Sequence, residues 1–149
     1  MSLVQRFISS QLAKPEGIFG RLITFHLLEK ENVEMNQVTI DSLDLNQEDN
    51  LLEVGFGSGY LLETVLKRGL CQNVVGVDLS EDMVKVVRKR LSKFLMNEVD
   101  DIRVGDIKSL PFADGQFSKL CSVNTLYFWK DVSAALSECR RVLRDDGRL

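Results

Sequence analysis

The sequence predicts a doubly wound, mostly parallel α/β sheet, and three observations carry that expectation. From Asn50 onward, short apolar runs alternate with longer segments whose apolar residues recur at helical spacing. Strands separated by segments of that length need crossover connections, which lay the strands parallel and cover both sheet faces with helices. A glycine cluster, "GFGSG" at residues 55–59, follows the first apolar run directly, where such a fold turns from strand into helix.

The elements follow in order. Residues 1–49 read as an N-terminal helical addition, because "GIFGRLITFHLLEKENVEMNQVTIDSLDL" has helix-like apolar spacing and divides near Asn32 into two helices. Residues 50–149 form the sheet domain. Its strands are "NLLEV", "VVGVD" ending in Asp78, "DIRVGD" ending in Asp106, and "FSKLCSVN" ending in Asn124. Between the second and third strands, Met83, Val87, Leu91 and Phe94 fall at helical spacing, so the neighbouring Arg88, Lys89, Arg90 and Lys93 read as that helix's solvated face. Val132, Ala135, Leu136, Cys139, Val142 and Leu143 make one stripe on the last helix.

Composition narrows the function. A chain of 149 residues is enough for one domain with a real core. With 44% hydrophobic and 28% charged residues and a net charge of −3, it is built like an ordinary globular protein and lacks the basic excess that phosphate backbones demand, so no nucleic-acid partner is expected. Cys71, Cys121 and Cys139 are widely spaced and accompanied by a single histidine, which argues for reduced, buried thiols and against a metal centre. The start "MSLVQRFISSQLAKPEG" has too short an apolar run for a secretory signal, and no stretch approaches membrane-spanning length. The expected address is the cytoplasm, with no membrane partner.

In a doubly wound sheet, ligands bind at the C-terminal strand ends beside the point where strand order reverses. The glycines lie there. Gly55 and Gly57 let the backbone turn sharply and approach a ligand, and Gly59 lets the helix start pack closely. A dinucleotide fingerprint would place its third small residue at position 60, which is Tyr60, so a nicotinamide-binding domain is the weaker reading. Glu53, within the first strand, would sit poorly beside a pyrophosphate but suits a ligand bearing an ammonium group. Asp78 lies roughly twenty residues beyond the loop, the distance at which an acid accepts hydrogen bonds from ribose hydroxyls. Asp106 and Asn124 put polar groups on the same rim.

Together these residues resemble the class I S-adenosylmethionine-dependent methyltransferases, a Rossmann-like family. "LLEVGFGSG" is similar to that family's glycine motif, "GVDLSEDM" to its ribose-binding acidic motif, "GDIKSLPFADGQF" to its adenine-side motif, and "ALSECRRVLRDDGRL" to the helix and turn before the fifth strand. The resemblance implies S-adenosylmethionine as cofactor, with Glu53, Gly55 and Gly57 facing its methionine part, Asp78 on the ribose and Leu79 beside the adenine. It further implies Asp106 on the adenine amino group and the Ile107 N–H on a ring nitrogen. Asn124, Tyr127 and Trp129, in "NTLYFWKD", follow the fourth strand on this rim and are expected on the methionine and acceptor side.

The chain departs from the family in three places. Ser118 follows Phe117 where an acid is common, and Asp145, Asp146 and Gly147 replace a Pro-Gly-Gly turn. The chain also ends at Leu149, where the fifth strand should begin, so the C-terminal strands are expected to be missing. The fourth strand then becomes an edge that invites self-association or cover by the N-terminal helices. No general base is marked, since a lone histidine on an amphipathic helix, here His26, is more often structural. Methyl transfer to a small-molecule acceptor is the first reading. A cofactor-binding fragment without activity of its own is the second, and a nicotinamide-binding domain the third.

Overall fold

A computed structural model of the chain describes residues 33–95 and 101–149. Helix α1 spans 33–43, and the expected helix before Asn32, with His26, lies outside the described residues. The remaining elements are β1 (Asn50–Val54), α2 (Tyr60–Arg68), β2 (Asn73–Asp78), α3 (Glu81–Leu91), β3 (Asp101–Val104), β4 (Phe117–Cys121), a 3-10 turn (Leu126–Phe128), α4 (Val132–Val142) and β5 (Leu143–Arg148). The strands form one five-stranded sheet in the order β3-β2-β1-β4-β5, with every pairing parallel. Strand order reverses between β1 and β4, so the ends of β1, β2 and β4 meet at one rim.

The two sheet faces carry separate cores, as period-two alternation along the strands requires. Leu51, Val74, Ile102 and Cys121 pack beneath α1, α2 and α3, meeting Ile40, Leu61, Leu62, Val65, Val87 and Leu91. Leu52, Val54, Val75, Val77 and Leu120 face the other way, onto Cys139 and Val142 of α4 and onto Phe117 and Leu110. Residues adjacent in β1, such as Leu51 and Leu52, are both fully buried because both faces are covered. The three cysteines are free and buried, as their spacing implied.

The expectation that β4 is an exposed edge is corrected. Leu143 follows α4 without a loop, adopts an extended conformation (φ −79°, ψ 142°) and pairs with Phe117, while Arg148 pairs with Lys119. Two residues' advance along β4 therefore faces five along β5, and the surplus bulges outward through Asp145 and Asp146. The turn-forming "DDG" is thus absorbed inside a strand, β4 lies between β1 and β5, and the surface inferred for self-association is occupied by the chain itself.

The basic residues of α3 are also not simply a solvated face. Arg88 donates to the Ile102 carbonyl at 2.8 Å and pairs with Asp101, tying α3 to β3. Arg90 donates to the Ser58 carbonyl and pairs with Glu63, tying α3 to the glycine loop. Ser118 has a structural role as well: its hydroxyl donates to Asp49 at 2.7 Å and accepts from the Asn50 N–H at 2.9 Å, joining the starts of β1 and β4.

Candidate functional site

The rim holds a cavity of about 330 Å³, within the range of small-molecule and cofactor sites. Glu53, Gly55 and Gly57 line it from β1 and its loop, Asp78 and Leu79 from the end of β2, and Asp106 and Ile107 from the end of β3. Asn124, Tyr127 and Trp129 line it from the segment after β4. The structure thus brings together ten of the eleven residues singled out from the sequence. Gly59 is the exception.

The glycines serve different ends. All three have positive φ, at 73°, 50° and 73° for Gly55, Gly57 and Gly59, a region L side chains rarely adopt. A Cβ on Gly55 would fall 2.6 Å from Thr125 Cγ2, so this glycine admits the post-β4 segment against the loop. A Cβ on Gly59 would fall 2.6 Å from Val87 Cγ1, so this glycine lets α2 begin against α3, outside the cavity lining. The loop is fixed by the Gly55 N–H to the Val77 carbonyl at 2.7 Å and by the Gly57 N–H to Asp78 Oδ2 at 3.0 Å.

Glu53 is only 2% exposed, at the point where β1 gives way to this loop. The backbone N–H of Leu62, in the first turn of α2, donates to its carboxylate, which thereby satisfies one of the helix's unpaired amino-terminal groups. Its Oε2 is buried without a hydrogen-bond partner among the described residues. Burial, reinforced by the nearby charge of Asp78 and opposed by the Leu62 hydrogen bond, raises its pKa from 4.5 to about 8. Asp78 is also shifted upward by burial, against the pull of the Ser80, Gly57 and Leu79 N–H groups. The same environment pushes the Cys121 thiol up, through burial first and then Glu53 and Cys71.

The third acid is wetter. Asp106 Oδ1 accepts the Lys108 N–H at 2.9 Å, its carbonyl accepts the Ser109 N–H at 2.9 Å, and Lys108 Nζ stands 3.7 Å from its Oδ2. This is a compact Asx turn that holds Ile107 against the cavity. Leu79 is 52% exposed although it lines the cavity, an apolar surface suited to a planar ring. On the far wall, Asn124 has a φ of 55°, Tyr127 and Phe128 meet edge to face with centroids 4.6 Å apart, and Tyr127 is 70% exposed.

One lining residue is not apparent in the sequence pattern. Asn36 lies one turn before Ile40 on the inward stripe of α1, is 7% exposed and faces the cavity, and its carboxamide makes no hydrogen bond to a described residue. A polar residue in a core stripe was the available signal.

The residues present fit S-adenosylmethionine. An acid whose Oε2 is without a hydrogen-bond partner among the described residues stands at the loop, a second acid at the end of β2, an apolar ledge follows it, and a polar turn closes the β3 side. Comparison with known proteins agrees. Residues 52–149 match the family described as a methyltransferase domain, and the chain belongs to that family. It is 31% identical over 127 residues to the uncharacterized methyltransferase YdaC of Bacillus subtilis, covering 85% of this chain and 68% of the relative. It is 26% identical over 139 residues to a demethylmenaquinone methyltransferase of Thermotoga maritima, covering 93% and 56%. Among solved structures, the YcgJ protein of Bacillus subtilis superposes with a TM-score of 0.66 at 27% identity, covering 76% of this chain and 47% of that one. The chain spans about half the length of several proteins it matches. No described helix is long and apolar enough to cross a membrane.

Proposed function

We propose that this chain binds S-adenosylmethionine across Glu53, Gly55, Gly57, Asp78, Leu79, Asp106 and Ile107 and positions it for methyl transfer to a small-molecule acceptor. The observation that carries the reading is the Oε2 of Glu53 at the cavity wall, buried and without a hydrogen-bond partner among the described residues, because an acid in that position calls for a cationic ligand group. An ammonium there supplies the missing donor. Asp78 oxygens that already accept backbone N–H groups keep lone pairs for ribose hydroxyls.

The reactive methyl and its leaving sulfur belong to the cofactor when it is bound, so the chain's share is orientation and exclusion of water. Orientation of this kind is worth roughly 7–11 kcal/mol in favourable cases. Asn124, Tyr127 and Trp129 form the wall on which an acceptor would rest. A small molecule is favoured by the size of the cavity, about 330 Å³, and by the acidic balance of the chain. The Thermotoga relative, whose name declares a quinone-like acceptor, points the same way.

Calorimetry tests the binding, with S-adenosylhomocysteine against NAD as the competing ligand. Saturable binding of the former and none of the latter is expected, and the reverse order would overturn the assignment.

A further inference from the structure

The turn that carries Asp106 and Ile107 has its exit fixed from outside the cavity by a single ion pair on α4. Glu138 Oε2 accepts the Leu110 N–H at 2.8 Å, while Arg141 Nη2 donates to the Leu110 carbonyl at 2.9 Å, so both sides of one residue's backbone are held by one acid and one base. Arg141 Nη1 donates to the Phe112 carbonyl at 2.7 Å and to Asp114 Oδ1 at 2.8 Å. Its Nε and Nη2 return to Glu138 at 2.7 and 2.8 Å. All five N–H donors of the guanidinium are thereby used, in the planar fork that lysine cannot reproduce. The Arg141 carbonyl accepts from the Gly115 N–H at 2.9 Å, which closes the far end of the loop onto the same residue.

Leu110 follows Ser109, whose N–H closes the Asp106 turn, and its side chain is buried in the core beneath α4. Fixing Leu110 therefore fixes the turn. The connection from β3 to β4, residues 105–116, is otherwise mostly exposed, with Phe112 set between Arg103 and Phe117 as its other anchor.

We propose that Glu138 and Arg141 are positioning residues for base recognition: by clasping Leu110, Phe112 and Asp114 they hold Asp106 and the Ile107 N–H in the geometry that tells adenine from other purines. This rests on the adenine-side reading of Asp106 and Ile107 given above.

The test compares ligands that differ at one end only. Wild-type protein should bind S-adenosylhomocysteine about tenfold more tightly than S-inosylhomocysteine, in which the base loses its amino donor. It should also prefer S-adenosylhomocysteine over its 2′-deoxy analogue, a ratio that reads the ribose through Asp78. In Arg141→Lys and Arg141→Ala the base ratio should fall below about threefold while the ribose ratio is kept. Glu138→Gln, which keeps the acceptor for Leu110 but removes the charge, should fall between, and it carries the test if an Arg141 variant fails to fold. An unchanged base ratio overturns the proposal. A parallel fall of both ratios also overturns it, because the pair then supports the fold generally. If wild-type protein does not discriminate the bases at all, the adenine assignment itself is wrong.

Discussion

Binding of a cationic ligand at Glu53 should expel a proton. In the ligand-free protein its carboxyl titrates at about 8, chiefly because it is buried and secondarily because Asp78 is near. At pH 7, one unit lower, the group is ionised in only about one molecule in ten. An ammonium lodged against Oε2 favours the ionised form, so binding at pH 7 releases up to about 0.9 proton per ligand. Affinity for S-adenosylhomocysteine should rise by up to tenfold per pH unit between about pH 6 and 8 and then level off. Calorimetry at pH 7 in two buffers of different ionisation enthalpy reads the released proton directly, and Glu53→Gln should abolish both the buffer dependence and most of the pH slope. Equal heats in the two buffers, or a pH slope that survives in Glu53→Gln, would refute the reasoning. The same shift has a consequence for stability. A folded-state pKa above the ordinary 4.5 means the folded protein keeps a proton that the unfolded chain gives up, so this contribution is full below about 4.5 and is lost as pH rises through about 8.

Two further substitutions separate ligand contact from scaffolding. Asp78→Ala should weaken S-adenosylhomocysteine binding by about 1–3 kcal/mol, read by calorimetry, and should also lower the melting temperature because the Gly57 and Ser80 N–H groups lose their acceptor. Gly59→Ala should cost about 1–3 kcal/mol of stability in denaturant melts, from a positive φ and a Cβ set 2.6 Å from Val87, with ligand affinity of the folded fraction kept. A selective loss of binding in Gly59→Ala would return that glycine to the ligand site.

The strands β1, β2 and β4 are legible in the sequence because a strand covered on both faces is a short apolar run; the edge strand β3, where only Ile102 is fully buried, is legible because its short run still alternates with segments of helical spacing. The rim acids were legible because they end those runs. Three features were hidden for one shared reason, that their meaning depends on a partner distant in the chain. Gly59 belongs in sequence to the same glycine cluster as the two cavity glycines and reads as close packing of the helix start, but the atom it makes room for is on Val87, in the next helix. Arg88 and Arg90 have the spacing of a solvated face, but their acceptors are the Ile102 and Ser58 carbonyls. Strand β5 was invisible because Asp145, Asp146 and Gly147 have turn-forming side chains and poor strand propensity, and only the open side of β4 makes an extended segment worthwhile there. Asn36 shows in the sequence only as a polar residue on an apolar helix stripe, which does not say what its carboxamide faces.

The contact between Gly55 and Thr125 links the two halves of the cavity. One wall grows from the ends of β1, β2 and β3 and the other from the segment after β4, and they touch where Thr125 Cγ2 occupies the space a side chain on residue 55 would need. Thr125 is anchored through a hydrogen bond with Ser122, whose hydroxyl bonds the Val54 carbonyl at 2.7 Å. The aromatic turn at Leu126–Phe128 is therefore free to vary without disturbing β1, as long as the threonine at its root keeps its size and its hold on that strand. On the proposed function, redesign of the acceptor side has its natural boundary between residues 125 and 126: substitutions beyond it should alter which acceptor is taken, and those before it should disturb the glycine loop and weaken S-adenosylhomocysteine binding.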